Sequence, residues 1–416
     1  MSAPVERNQR NPRGPSQPWI GAGDAARLLG VSRATLYAYV SRGFVRSQAT
    51  PGSSRERQYS RDDLERLRRR TEERRDPDKA ASRALHWGTP TLESSISLID
   101  GARLYYRGHD AVTLSQSRSV AEIASLIWTG RFDTVFKVDR RDRGRVDDKT
   151  ARDLRFVARA QCRLALAGGR DPTAFDLRPG GVAQTGWRIL HLVAGAGAGA
   201  AVSSVRTPIE RRLARAWRVD PGAADVLRST LILCADHELN VSSFTARCVA
   251  SAGSTPYAVV VAGLAALEGT RHGGASARVE SMLESMRGER HLRTAIADRL
   301  RRGEAIDGFG HPLYRDGDPR AAALLDLLRD RYPRSPDLRF VLEIVEAAAS
   351  GVLEKPNLDF ALAAVARVLR LPQGSPLTLF AIGRTIGWIG HAIEQYETGQ
   401  LIRPRAKYVG VVPALA

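Results

Sequence analysis

Four short polar strings interrupt an alanine- and arginine-rich chain. They are Ala235-Asp236-His237-Glu238-Leu239-Asn240, His272-Gly273-Gly274-Ala275, Gly308-Phe309-Gly310-His311 and Asn357-Leu358-Asp359-Phe360. Their three histidines, carboxylates and flanking glycines can supply proton donors, a carboxylate base and close backbone approach to a bound carboxylate or thioester. Any one of these strings alone carries little. A lone histidine is more often packed or solvated, which is how His86, His109, His191, His291 and His391 are read.

The elements that must position these groups are mostly helical. From about Gly88 onward, apolar residues recur with helical period in Val120–Trp128, Leu154–Ala165, Ile209–Trp217, Ala224–Cys234, Ala321–Leu328, Phe340–Ala349 and Ile382–Glu394. Strand signals are confined to pieces such as Ile96–Ile99 and Leu104–Tyr106. The Gly/Ala run Ala194–Ala201 reads either as a flexible linker or as close helix packing at small residues. Arg140–Lys149 predicts an exposed charged loop. The body is mainly α, with no internal repeat.

The 416 residues suffice for a large core and more than one domain. The longest apolar runs, Leu192–Val202 and Ala258–Leu267, are too short to span a bilayer. The N-terminus, with Glu6, Arg7, Arg10 and Arg13, lacks the apolar stretch of a signal peptide. The expectation is a cytoplasmic protein without a membrane partner. Cys162, Cys234 and Cys248 are odd in number and lack CxxC spacing, which argues against a disulfide framework or a zinc site. No metal is expected.

The net charge of +18 is unevenly spread. Residues 1–85 carry eighteen Lys and Arg against ten Asp and Glu, a net +8, so the other 331 residues share +10. Residues 1–18 predict a mobile tail. A compact unit follows over 19–75. Asp24–Leu29 forms a short helix broken by Gly30. Ser32 caps a second helix through Ser41, with Gly43 as its stop. Gln48–Arg57 reads as a loop, and Ser60 with Asp63 starts a third helix to about Arg75. Leu28, Leu29, Val31, Leu36 and Val40 would form its core. This pattern fits a winged helix-turn-helix in which Arg33, Thr35, Tyr37 and Arg42 meet double-stranded DNA and Arg55 and Arg57 touch phosphates. The string from Ala25 to Gly43, with Arg57-Gln58-Tyr59-Ser60, resembles the MerR and excisionase-like DNA-binding domains. Residues 76–87 read as a polar linker.

From Gly88 to the C-terminus the chain resembles citrate synthase. The resemblance rests on the four strings above, together with Tyr106-Arg107-Gly108, Asp318-Pro319-Arg320, Gly383-Arg384-Thr385 and Ile402-Arg403-Pro404-Arg405, in family order. It implies large and small helical domains, with the small one over about 280–380, and an acyltransferase that joins acetyl-CoA to oxaloacetate. The implied catalytic groups are Asp359 as base, His272 as donor to the enolate oxygen and His311 as donor to the ketone. His237, Arg320 and Arg384 are implied to bind oxaloacetate, and Arg403 to reach the partner's site in a homodimer. Gly308, Phe309, Gly310 and Arg315 are implied to contact coenzyme A. No tightly bound cofactor is implied, since acetyl-CoA is a cosubstrate. Ser276 stands where asparagine is common, Pro312 where a basic residue is common, and Ala361-Leu362-Ala363 where Tyr-Ser-Gly is frequent. These departures leave two alternatives open: propionyl-CoA as donor, giving 2-methylcitrate, or a metabolite-sensing DNA-binding regulator on the same fold.

Overall fold

A computed structural model describes residues 19–50, 53–65, 67–68, 92–136, 151, 153–199, 207–351, 354–406 and 408–411. The chain divides into two compact units, one ending at Glu93 and the other starting at Ser94. The predicted tail over 1–18, linker over 76–87 and charged loop over 140–149 lie outside the described residues.

In the first unit, β1 (Trp19–Gly21) leads into α1 (Ala22–Leu29) and α2 (Arg33–Ser41), followed by β2 (Ser47–Thr50) and β3 (Ser53–Ser60). α1 stops at Gly30 in the left-handed region, a conformation that costs glycine nothing. The Ser32 hydroxyl accepts the Thr35 N–H at 3.2 Å and so caps α2. The three strands form an antiparallel sheet in the order β1-β3-β2. The stretch read as a loop over 48–57 is therefore largely a β-hairpin. Its Ser- and Arg-rich residues hide the strand signal because one face is solvated. Ser60 accepts the Asp63 N–H at 3.4 Å at the start of the next helix, described over 61–65 and 67–68.

The core of this unit differs from the predicted one. Ala25, Ala26, Leu36, Val45, Tyr59 and Leu64 are buried, whereas Leu28, Leu29 and Val40 pack at its margin and Val31 is only half-buried. Val45 just before the hairpin, Tyr59 within it and Leu64 on the following helix supply half the core, and the two alanines let α1 approach them closely.

The second unit opens with an antiparallel meander, β4 (Ser97–Asp100), β5 (Arg103–Tyr106) and β6 (His109–Asp110). Helices follow: α3 (Ala111–Ser117), α4 (Val120–Thr129), α5 (Phe156–Gly168), α6 (Pro179–Gly197), α7 (Ile209–Ala216) and α8 (Ala223–Leu233). Then come α9 (Val241–Ser251), α10 (Pro256–Leu267), α11 (Gly274–Ser285), α12 (Leu292–Arg301), α13 (Pro319–Arg331), α14 (Pro336–Gly351), α15 (Leu358–Val368) and α16 (Ser375–Thr398). The mainly helical class read from the sequence holds.

α16 is the axis of this unit. It is buried along most of its length and packs against α6, α8, α9 and α10. Small residues make that possible. A Cβ at Gly383 would stand 2.4 Å from the Leu231 carbonyl oxygen, and one at Gly197 only 2.7 Å from Thr378 Cγ2. Of the two readings of the Gly/Ala run, close helix packing is therefore the one realised over 194–197.

Candidate active site

The site is assembled from helix ends that converge on the middle of α16. The turn 235–240, between α8 and α9, is fixed from beneath by Asp236, which is fully buried. Its carboxylate accepts the Ser97 hydroxyl at 2.6 Å and meets His391 Nε2 at 3.1 Å. Burial raises the Asp236 carboxyl, but His391, Arg384 and Ser97 outweigh it and hold it below the usual range. His391 thus has the structural role expected of it. Glu238 sits in the left-handed region at φ 51°, a strained conformation for a residue with a side chain, and its N–H donates to Ser97 at 2.9 Å. Asn240 then caps α9 by accepting the Ser243 N–H at 2.9 Å.

His237 leaves this turn toward Tyr314, whose hydroxyl lies 2.9 Å from His237 Nε2. Its ring is edge-on to His311, with centroids 5.2 Å apart. Burial, aided by Arg320 and Arg384, pushes His237 well below the usual imidazole range. His311 Nδ1 accepts the Leu313 N–H at 3.1 Å, so the proton of the neutral ring sits on Nε2. Burial, then Arg320, brings His311 down to about 4, and at neutral pH it is an uncharged donor.

His272 lies just before α11. Its Nε2 meets the Ser242 hydroxyl at 2.9 Å, and that oxygen also accepts Trp388 Nε1–H at 3.2 Å. The single Ser242 proton can go to His272 or to Asn240 Oδ1, 3.0 Å away. When it goes to His272, the imidazole proton stays on Nδ1, which has no hydrogen-bond partner among the described residues. Burial, then Arg384, lowers His272 to about 4.

The two buried guanidinium groups are held differently. Arg320 is gripped in fork geometry by Asp318, Nε to Oδ1 at 2.9 Å and Nη2 to Oδ2 at 2.7 Å. Asp318 Oδ2 also accepts the Leu358 N–H at 3.1 Å, tying the start of α13 to the start of α15. Burial opposes the Arg320 charge, yet Asp318 outweighs it and the group is more firmly protonated than usual. Arg384 donates Nε to the Cys234 carbonyl at 2.9 Å, while Nη1 and Nη2 are buried with no hydrogen-bond partner among the described residues. Donors left bare in a buried place suit an incoming carboxylate. Asp359, second residue of α15, is held at its N–H by the Asn357 cap at 3.0 Å. Its Oδ1 accepts the Ser276 hydroxyl. Burial raises the Asp359 carboxyl, with Ser276 and Arg320 the chief opposing influences.

Of the residues singled out in the sequence, His237, His272, His311, Arg320, Asp359 and Arg384 converge on one cluster. Phe380 links two of them, 5.7 Å from His272 and 4.7 Å from the Arg384 guanidinium. Arg315 and Arg403 are exposed outside it. Gly308 and Gly310 use their left-handed backbone for close packing inside the chain. A Cβ at Gly308 would lie 2.9 Å from Phe360 Cβ, and one at Gly310 2.7 Å from Glu354. Phe309 is buried against Phe360, centroids 4.9 Å apart. Three groups were missed by sequence reasoning: Tyr314, Ser242 and Asp318 as the clamp on Arg320. Tyr314 stands three residues after His311, and that proximity was the only signal available.

In the first unit, Arg33, Tyr37 and Arg42 are exposed on or beside α2. The Thr35 hydroxyl is engaged with Ser32 at 2.9 Å, and Arg57 Nε donates to Ser47 across the hairpin at 3.1 Å. The Arg55 side chain lies outside the described part of the structure. Cys162, Cys234 and Cys248 are free thiols. No group of residues that could hold a metal ion occurs among the described residues, and no helix among them is long and apolar enough to cross a membrane.

Residues 188–405 match the family described as citrate synthase, C-terminal domain, and residues 22–71 match the MerR HTH family regulatory protein family. Citrate synthase 2 of Bacillus subtilis is 29% identical over 360 residues, covering 79% of this chain and 96% of that protein. 2-Methylcitrate synthase 1 of Corynebacterium glutamicum is 34% identical over 197 residues, covering 45% of this chain and 51% of that protein. The crystal structure of citrate synthase from Thermotoga maritima aligns with a TM-score of 0.63 at 27% identity, over 79% of this chain and 96% of that one. On this ground, and on the helical fold just described, the chain belongs to the citrate synthase family, an enzyme of the citrate or 2-methylcitrate synthase kind that carries a MerR-type head.

Proposed function

We propose that this enzyme condenses acetyl-CoA with oxaloacetate and hydrolyses the resulting citryl-CoA to citrate and CoA. Asp359 takes a proton from the acetyl methyl group, and the electron pair moves into an enolate. His272 Nδ1–H donates to the enolate oxygen, and a preorganised donor of this kind is worth roughly 2.7–4 kcal/mol. The enolate carbon attacks the oxaloacetate ketone while His311 Nε2–H donates to its oxygen. Arg320, Arg384 and His237 hold the two carboxylates. The observation that carries this reading is the buried Arg384, whose two bare Nη atoms lie in the same cluster as neutral His272 and the Asp359 carboxylate.

Because His272 and His311 are uncharged at neutral pH, they polarise oxygens without presenting a cation that would attract water or stray anions. Arg315 and the Gly308–Gly310 turn are assigned to coenzyme A, and Arg403 to the site of the second protomer in a homodimer. α12 to α15 form the smaller, closing subdomain that excludes water during condensation.

The deciding experiment compares kcat/KM for acetyl-CoA and propionyl-CoA on the purified protein with oxaloacetate. Higher kcat/KM for acetyl-CoA supports the reading, and higher kcat/KM for propionyl-CoA moves it to 2-methylcitrate synthesis. Absence of turnover with both would overturn it.

The exposed Arg33, Tyr37 and Arg42 on or just after one helix, with a two-stranded wing following it in the chain, favour double-stranded DNA as the partner of the head. Two heads on one dimer would address two half-sites.

A further inference from the structure

We propose that Ser276 is a positioning residue for the base: its hydroxyl fixes Oδ1 of Asp359, so that Oδ2 alone takes the proton from the acyl donor. This rests on the reading of Asp359 as the base.

The two residues come from different elements. Ser276 is buried in the first turn of α11, and Asp359 stands in the first turn of α15. The residue is held at two points, its backbone N–H by Asn357 and its carboxylate Oδ1 by Ser276, while Oδ2 has no hydrogen-bond partner among the described residues. The same stretch of chain carries His272 four positions before Ser276. The turn into α11 and its first residues thereby set both the donor for the enolate oxygen and the orientation of the base. When the α-carbon C–H bond breaks, the proton goes to Oδ2 and the electron pair to the oxygen facing His272.

The electrostatics agree. Burial raises the Asp359 carboxyl, and the Ser276 hydroxyl is the largest influence in the other direction. Arg320 and Arg278 also favour the carboxylate, and Asp318 opposes it. Arg278, on α11, is shared with Asp307 at 2.8 Å. From α14 the charged group against α15 is Asp337, which pairs with Arg367 at the far end of the helix. α16 presents Arg384. Among all these neighbours, Ser276 alone hydrogen-bonds the Asp359 carboxylate. Ser276 is the residue that departs from the asparagine the resemblance implies, and it reaches the carboxylate directly.

The test is the pH profile of kcat/KM for the acyl-CoA in the wild type, Ser276→Ala and Ser276→Thr. Losing a hydrogen bond to a charged group should move the acid limb of Ser276→Ala up by about one pH unit. Below that limb the rate should fall about tenfold. KM for oxaloacetate should stay within twofold, and Ser276→Thr should restore the limb. If Ser276→Ala loses its fold, Ser276→Cys, which donates weakly, carries the same comparison. An unmoved acid limb in a folded variant, or a Ser276→Thr profile matching that of Ser276→Ala, would overturn the proposal. Turnover retained by Asp359→Asn would instead overturn the assignment of the base, so the two failures are distinguishable.

Discussion

At the scale of single residues, the site separates groups that react from groups that hold them. Asp359→Ala should leave the fold intact, because the Asn357 cap bonds backbone N–H groups rather than the carboxylate. Its condensation rate should fall by about 10²–10⁴, the usual contribution of a general base. Single-turnover measurement of citryl-CoA formation checks this, and full activity in a folded variant would sink the mechanism. Tyr314 is one of the three groups that sequence reasoning missed. Its hydroxyl bonds His237 Nε2, its ring meets His311 with centroids 4.9 Å apart, and the Arg320 guanidinium lies 5.7 Å from it. Tyr314→Phe keeps the ring but frees His237 to turn. KM for oxaloacetate should rise roughly five- to tenfold, the value of one hydrogen bond, with kcat nearly unchanged. An unchanged KM would show that the hydroxyl does not orient His237.

At the scale of elements, α16 carries Arg384, His391 and Trp388 onto the one stretch Cys234–Ser242 that leads from α8 into α9, and it can do so only where its own side chains are absent. A Cβ at Gly387 would stand 2.4 Å from the Ala235 carbonyl oxygen and 2.6 Å from Asp236 Oδ1. Both neighbours belong to the turn that aims His237, and backbone cannot yield there without moving the histidine. Gly387→Ala should therefore destabilise by about 1–3 kcal/mol, the usual cost of overpacking, and raise KM for oxaloacetate at the same time. Thermal unfolding and steady-state kinetics on one preparation would show it, and a stability loss with unaltered KM would break the link between α16 and the turn. Seven helices of the second unit were legible through their apolar period, as with Val120–Trp128 and Ile382–Glu394, whereas others, such as Val241–Ser251 and Gly274–Ser285, gave no such signal. The hairpin of the first unit was not, because polar Ser47, Gln48, Arg57 and Gln58 hide its alternation.

At the scale of the whole molecule, the buried imidazoles make stability depend on pH. His191 falls to about 3 through burial, then Arg212, and His272 and His311 fall to about 4. Each binds a proton more readily when unfolded, so their contribution is complete above about 6.5 and declines as pH drops through 6.5 toward 4. The raised Asp359 carboxyl acts in the opposite sense. The expected net result is a thermal midpoint that falls between pH 6.5 and pH 4.5, and a flat profile over that window would contradict the buried neutral state. The charge of the first unit is tested separately. DNA affinity should weaken steeply with salt and vanish when residues 1–80 are removed, while turnover survives that removal. DNA binding that survives the deletion would place it elsewhere in the chain.

The sequence by itself determined the helical class, the order of the polar strings and the chemical kinds of the reacting groups, because side-chain chemistry and apolar period are local properties. It could also point to Ser276 as a departure from the usual asparagine. Only the tertiary structure decided that Ser276 reaches Asp359, that Asp318 joins Arg320 to the start of α15, and that Arg384 keeps two donors bare. Those contacts join residues 40 to 150 positions apart, and a separation of that length leaves no local trace in the chain. The Arg384 contact exists because Gly383 and Gly387 let the end of α8 and the turn after it close onto α16.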